Sequence, residues 1–137
     1  MSDTPHPLHA ELVWASDLRF GATSGQTAVV IDGDGHAGPS PMQALAFAVA
    51  GCMAADVVAI LKKGRHPLEG LRVTVEAARA ADPPRRFTHV ALTFHVTGAV
   101  PEEAVTRAVA LSRDKYCSAW NSLRADTTLE TRVSIQP

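Results

Sequence analysis

An α+β fold is predicted by the order of the hydrophobic patterns along this chain of 137 residues. A long apolar stretch with helical character occupies the middle of the chain, and shorter stretches of alternating apolar and polar residues lie on both sides of it. The order is strands, a long helix, two strands, a second helix and a last strand. A chain of this length, with 46% hydrophobic and 20% charged residues, is expected to form one domain over residues 1–137.

The N-terminal part is predicted to contain two strands. Residues 1–9 hold two prolines and two histidines and are expected to form a loose arm. Glu11–Ala15 is predicted as the first strand, and Gln26–Asp32 as the second, which is ended by the turn Gly33–Gly35. Phe20–Gln26 is rich in Gly, Ser and Thr, and this composition predicts a connection.

The long helix has clear start and stop signals. Ser40 is suited to cap the helix, Pro41 to occupy its first position, and Gln43 to complete a capping box three residues after the cap. The helix is expected to run to about Lys63. Gly64 is expected to adopt the left-handed conformation that ends many helices.

The long helix is not expected to span a membrane. Met42–Leu61 is almost continuously apolar over about the length that crosses a bilayer. The stretch is built mainly of alanine, however, and it contains Gln43, Gly51 and Asp56. An all-round apolar helix is also typical of the centre of a soluble domain or of a dimer interface, so no membrane association is expected.

The second half is predicted to contain two strands, a helix, a short helical piece and a last strand. They are, in order, Leu71–Ala77, Phe87–Thr97, a helix opened by Pro101, Tyr116–Leu123 and Thr128–Ile135.

Composition excludes some functions and indicates a compartment. The net charge of −1 gives no electrostatic support for a nucleic-acid partner. The N-terminus shows no basic region followed by an apolar run, so a cytoplasmic location is expected. A structural disulfide is unusual in that compartment, which favours reactivity for any cysteine pair.

Cys52 and Cys117 are the only cysteines of the chain. Cys52 lies within the long helix, and Cys117 follows the second helix. Two thiols on different elements are suited to a pair that cycles between dithiol and disulfide. They are not suited to a zinc site, because no Cys-x-x-Cys or nearby Cys/His cluster supplies four ligands, and no metal or other cofactor is expected.

Several stretches of the chain resemble the OsmC/Ohr family, the osmotically induced and organic-hydroperoxide-resistance proteins. They are Gly38–Met42, Ala50–Cys52, Asp56–Lys63, Phe87–His89 and Lys115–Ser118. The resemblance covers essentially the whole chain from Glu11 onward. It implies an OsmC-like fold, in which antiparallel sheets surround a long central helix. It also implies an intertwined homodimer with two active sites near the interface.

The resemblance assigns roles to the two cysteines. Cys52 matches the family's peroxidatic cysteine and Cys117 its resolving cysteine, with an external dithiol as reductant. Because the thiolate is the reactive form, a cation should approach Cys52, and Arg19 lies in the region of the family's arginine. In the hydroperoxide-resistance branch that arginine is held by a glutamate at the helix start. Here the helix starts with Pro41, Met42 and Gln43 and has no carboxylate.

Four further residues are expected to line the site. Met42 and Gln43 lie at the helix start, where Gln43 has an amide oxygen for an arginine. Asp56, one turn beyond Cys52, either orients a group at the site or pairs structurally. Trp120, three residues after Cys117, either lines a substrate pocket or packs in the core.

The leading functional hypothesis is a thiol-dependent peroxidase. The apolar residues around Cys52 favour an organic hydroperoxide with an alkyl body. The alternative is a binding or redox-sensing module that holds an apolar small molecule between protomers, and the missing glutamate supports it. A purely structural dimer is the third possibility.

Overall fold

The computed structural model describes residues 6–137, and the chain forms two compact units, Met1–Leu45 and Ala46–Pro137. Residues 1–5 of the predicted arm lie outside the described residues, and residues 6–10 have no regular secondary structure. One domain over the whole chain stays a prediction. The elements are β1 Glu11–Ser16, β2 Arg19–Ser24, β3 Thr27–Asp32, α1 Pro41–Lys63, β4 Gly70–Arg79, β5 Phe87–Thr97, α2 Glu102–Leu111, a π-helical turn Ser112–Tyr116, α3 Ser118–Asn121 and β6 Thr128–Gln136. The predicted α+β class is confirmed.

The first unit contains an antiparallel sheet in the order β1-β2-β3. The prediction of a connection over Phe20–Gln26 is wrong, because β2 is the central strand of this sheet. Its small residues gave no strand pattern, but its backbone pairs on both sides, with Phe20 opposite Trp14 and opposite Ile31. Gly25, with φ of 58°, forms the tight turn into β3.

The start of α1 is capped as predicted. The backbone N–H of Gln43 donates to Oγ of Ser40 at 3.2 Å. In return, the backbone N–H of Ser40 donates to Oε1 of Gln43 at 2.9 Å. These reciprocal bonds form a capping box and satisfy two donors that the first helical turn leaves free.

The end of α1 differs by one residue from the prediction. Arg65, with φ of 60°, takes the left-handed conformation expected at Gly64. The N–H of His66 donates to the carbonyl of Leu61 at 3.0 Å, and that of Arg65 to the carbonyl of Lys62 at 2.9 Å. This pair of bonds is a Schellman motif. Gly64 leaves room for the His66 ring, since a β-carbon there would lie 3.0 Å from it.

The second unit contains a sheet in the order β4-β5-β6. β4 and β5 are antiparallel, with Val73 opposite Phe94, whereas β5 and β6 are parallel, with Phe94 opposite Val133. The expectation of antiparallel sheets is therefore wrong for this last pair of strands. The reason is the helical connection between β5 and β6, which returns the chain to the end of the sheet where β5 begins.

The core of the second unit is formed by one face of β5 and by the buried residues of the helices α1 and α2. On β5 the alternate residues Val90, Leu92, Phe94 and Val96 are buried. On α1 the buried residues recur every fourth position, and they are Val49, Met53, Val57 and Leu61. α1 is long and apolar enough to cross a membrane by length and composition alone. This buried stripe is typical of a core helix.

Candidate functional site

The two cysteines lie next to each other in the second unit. Cys52 is half-buried in the middle of α1, and Cys117 is fully buried between the π-helical turn and α3. Both are free thiols. The side chain of Cys52 is close enough to that of Cys117 to raise its pKa, both through a hydrogen bond and through its charge. Two thiols this close form a disulfide when an oxidant removes two electrons.

The backbone of Cys117 is fixed on both sides. Its N–H donates to the carbonyl of Ser112 at 2.7 Å, and its carbonyl accepts from Nδ2 of Asn121 at 2.7 Å. The sulfur itself caps α3, because it accepts the backbone N–H of Trp120 at 3.3 Å. Within the predicted helical piece Tyr116–Leu123, the helix α3 covers only Ser118–Asn121, and Tyr116 is the last residue of the preceding π-helical turn. Their junction holds the thiol.

Asp56 links α1 to the turn that carries Cys117. The Ser112 hydroxyl donates to Oδ2 of Asp56 at 2.7 Å, and Ser112 is fully buried. Asp56 lies one helical turn after Cys52 on α1. Sequence reasoning selected Asp56 but missed Ser112, because the two residues are 56 positions apart and nothing local marks Ser112 as its partner.

Burial raises the pKa of the Cys117 thiol from 9.0 to about 11. The N–H of Trp120 opposes this shift, because it donates to the sulfur and stabilises the thiolate. The hydrogen bond with Cys52 and the charges of Cys52 and Asp56 raise the pKa further. Cys117 is therefore a protonated thiol at neutral pH.

Arg19 has a carboxylate partner at the end of β3. Its Nε lies 3.5 Å from Oδ2 of Asp32, which is only 1% exposed. Asp32 also accepts backbone N–H groups from Ala37 and Asp34, each at 2.9 Å, and from His36 at 3.3 Å. These bonds, with that from Ala37 foremost, lower the pKa of Asp32. A role for Arg19 at Cys52 stays a prediction.

Asp32 was missed as a functional candidate, although the sequence carried a signal for it. An aspartate before Gly33-Asp34-Gly35 is typical of a side chain that hydrogen-bonds to its own turn. The carboxylate that the helix start lacks is thus supplied to Arg19 from β3.

The other predicted site residues lie at two places. Oε1 of Gln43 accepts the Ser40 N–H in the capping box, and Met42 is half-buried in the same helical turn. Trp120 is half-buried, and its backbone N–H contacts the Cys117 sulfur. A pocket lined by the Trp120 ring stays a prediction.

An open apolar groove of about 860 Å³ runs between α1 and β4 in the second unit. Gly51, which precedes Cys52, lies along it, and Phe47 is 64% exposed beside it. The lining residues are Phe47, Ala50, Gly51, Ala54, Ala55, Val58, Ala59, Leu71, Val73 and Val75. No charged side chain is among them, so the groove is suited to an apolar ligand or to an apolar surface.

Known proteins are similar to this chain in sequence and in fold. Residues 33–132 match the family model described as OsmC-like protein. The Escherichia coli K12 protein YhfA is 41% identical over 114 residues, which cover 81% of this chain and 85% of YhfA. A hypothetical protein from Aquifex aeolicus VF5 superposes with a TM-score of 0.89 at 24% identity, over 96% of this chain and 98% of that one.

A Legionella pneumophila protein described as an organic hydroperoxide resistance protein OsmC superposes with a TM-score of 0.66 at 19% identity. The superposition covers 98% of this chain and 100% of that one. At 24% and 19% identity the two solved structures show the shared fold alone. The resemblance inferred from the sequence is confirmed by the family match and by YhfA, and this chain belongs to the OsmC-like protein family.

Proposed function

We propose that this protein is a thiol-dependent peroxidase that reduces organic hydroperoxides. The observation that carries the proposal is the adjacency of the two free thiols of Cys52 and Cys117, which are brought together from separate elements. The fold shared with the Legionella protein named for organic hydroperoxide resistance supports it.

The reaction has two thiol steps. The Cys52 thiolate attacks one oxygen of the hydroperoxide, the O–O bond breaks, and an alcohol leaves after taking up a proton. Cys52 is oxidised to a sulfenic acid. The Cys117 sulfur then displaces the hydroxyl of the sulfenic acid, which leaves as water, and an intrachain disulfide forms. An external dithiol reduces that disulfide and restores both thiols.

The different environments of the two thiols support the assignment of roles. Cys117 is fully buried and protonated at neutral pH, so it is a poor first nucleophile. Cys52 is half-buried on α1 and therefore accessible to a small substrate. The apolar residues around Gly51 favour a hydroperoxide with an alkyl body.

We further propose that the protein is a homodimer in which the two α1 helices pack together. One stripe of exposed residues recurs at every fourth position of α1 and contains Phe47, Gly51, Ala55 and Ala59. Three of them are small, and small residues allow two helix backbones to approach closely. The same apolar groove along α1 offers a surface without charged side chains, on which a second apolar helix can pack.

The alternative function is an apolar-ligand-binding or redox-sensing module. One observation favours it: Asp56 adds a negative charge beside Cys117, and a carboxylate opposes thiolate formation. In that case the thiols would respond slowly to oxidants, and the groove along α1 would hold the ligand.

Single-turnover kinetics with cumene hydroperoxide test the proposal. The parent protein should lose two thiols per chain and yield a Cys52–Cys117 disulfide, identified by mass spectrometry. Cys52→Ser should consume no peroxide. Cys117→Ser should consume about one equivalent and accumulate a sulfenic acid on Cys52, because that acid forms without a resolving partner.

Two results would contradict these roles. Peroxide consumption by Cys52→Ser together with its loss in Cys117→Ser would reverse them. Equal, slow thiol loss in the parent and in both variants would exclude the peroxidase and leave the binding module.

A further inference from the structure

We infer that Ser112 and Asp56 form a clamp that positions the resolving thiol, by fixing the turn that carries Cys117 against the helix that carries Cys52. The inference rests on the proposed function, because disulfide formation is the step that the clamp serves. Neither residue needs to touch the hydroperoxide, so both are positioning residues.

The clamp is a continuous chain of short hydrogen bonds through one residue. The Ser112 side chain donates to Oδ2 of Asp56 at 2.7 Å, and the Ser112 carbonyl accepts the N–H of Cys117 at 2.7 Å. Ser112 therefore binds α1 through its side chain and Cys117 through its backbone. No other side-chain hydrogen bond joins α1 to the π-helical turn among residues 6–137.

The π-helical turn makes this anchor necessary. The bond from the N–H of Cys117 to the carbonyl of Ser112 spans five residues, one more than in an α-helix. Such turns are short and depend on their surroundings for stability. Without the bond to Asp56, the turn is tied to α1 only by packing. The Cys117 sulfur would then sample positions away from Cys52.

Burial makes the hydrogen bond between the two side chains strong. Ser112 is fully buried and Asp56 is half-buried, so water competes weakly for either group. A hydrogen bond to a carboxylate is also stronger than one between neutral groups. A clamp of this kind restricts the sulfur to the narrow range of positions from which it can attack the sulfenic acid.

The carboxylate has a second, electrostatic effect on the same thiol. Burial is the main cause that raises the pKa of Cys117 to about 11, and the negative charge of Asp56 adds to it. Cys117 keeps its proton until the Cys52 sulfenic acid is present. In the resolving step that proton leaves with the displaced hydroxyl as water. The hydroperoxide has already supplied the oxidation, so no other oxidant is required.

Three variants separate the effect of the Ser112–Asp56 hydrogen bond from the effect of the negative charge of Asp56. Ser112→Ala removes the hydrogen bond and keeps the charge of Asp56. Asp56→Asn removes the charge and keeps an oxygen that can accept from Ser112. Asp56→Ala removes both, and it tests the bond from the less buried partner if Ser112→Ala folds poorly. Ser122→Ala is the matched control, because the exposed Ser122 hydroxyl donates only to the carbonyl of Ser118.

The readout is the rate at which the Cys52 sulfenic acid becomes the intrachain disulfide after one equivalent of cumene hydroperoxide. Ser112→Ala and Asp56→Ala should be slower than the parent by on the order of 10-fold, and a sulfenate probe should label more Cys52. Asp56→Asn should match the parent or be faster by about 3-fold or less, since its Cys117 loses a proton more easily. Ser122→Ala should match the parent.

A second readout does not depend on peroxide. In a glutathione redox buffer, the fraction of intrachain disulfide reports how well the two thiols are held together. Ser112→Ala and Asp56→Ala should form it less readily than Ser122→Ala. If the buffer shows this difference but no variant consumes peroxide, the clamp stands and the peroxidase fails. If Ser112→Ala and Asp56→Ala match Ser122→Ala in both readouts, the clamp is wrong.

Discussion

Arg19 and Asp32 face each other across the β2–β3 pair as directly opposite residues, with Nε of Arg19 3.5 Å from Oδ2 of Asp32. Opposite charges at such a position stabilise the strand pair. The same carboxylate also holds the loop that leads to α1, through three backbone N–H groups. The orientation of Arg19 and the path of this loop therefore depend on one buried aspartate.

Asp32 should make the protein sensitive to acid. Its pKa is lowered, chiefly by the N–H of Ala37, so its contribution to stability is present above its ordinary value of 3.8. That contribution is lost as the pH falls through the lower pKa of the folded protein. Urea unfolding from about pH 5 to about pH 2 should show a steeper loss in the parent than in Asp32→Asn. Asp34→Asn, at an exposed position, should behave like the parent, and equal slopes for all three proteins would contradict the prediction.

Cys117 should make the reduced protein sensitive to alkali. Because the pKa of its thiol is raised from 9.0 to about 11, the folded protein holds this proton more tightly than the unfolded chain does. The resulting stability is fully present below pH 9.0 and is lost as the pH rises through about 11. Urea midpoints measured under reducing conditions should fall over this range in the parent but not in Cys117→Ser. In Cys52→Ser the fall should be smaller, because the charge of Cys52, one cause of the raised pKa, is absent.

Local patterns predicted the elements that depend on local chemistry. The capping box of Ser40 and Gln43 and the strand Phe87–Thr97 follow from residue spacing alone, and both are confirmed. The strand β2 was missed because its pairing on both sides outweighs its weak strand composition. The parallel pairing of β6 was missed because its direction depends on the connection and not on the strand's own residues.

The candidate site was predictable only in part, for a related reason. Cys52 and Cys117 were selected as the only cysteines of a chain that resembles a thiol-based family. Ser112, whose carbonyl binds the N–H of Cys117, was missed because its hydrogen bond to Asp56 exists only in the folded chain. Sequence spacing gives no signal for a contact between residues 56 positions apart.

The buried stripe of α1 should account for much of the stability of the second unit. Met53 is fully buried, so Met53→Ala should lower the free energy of unfolding by about 2–5 kcal/mol. Met42→Ala is the matched control, because Met42 lies on the same helix and is only half-buried. Met42→Ala should lower the free energy of unfolding clearly less than Met53→Ala does. Similar losses at both positions in urea unfolding would show that the stripe is not the core of this unit.

The exposed stripe of α1, formed by Phe47, Gly51, Ala55 and Ala59, should determine the oligomeric state. If two α1 helices pack on their small residues, Ala55 of one chain lies close to the same stripe of the other. Ala55→Glu then buries a carboxylate from each chain in an apolar interface, and no cation lines the groove to pair with it. Light scattering at micromolar concentration should give about 29 kDa for the parent and 14.5 kDa, the mass of one chain, for Ala55→Glu.

Ala125→Glu is the control for the added charge, since Ala125 is exposed and lies outside the groove. It should remain at the mass of the parent. A folded parent that scatters as a single chain would contradict the dimer, and the groove along α1 would then be free to hold an apolar ligand. A dimer that survives Ala55→Glu unchanged would place the interface on another surface of the chain.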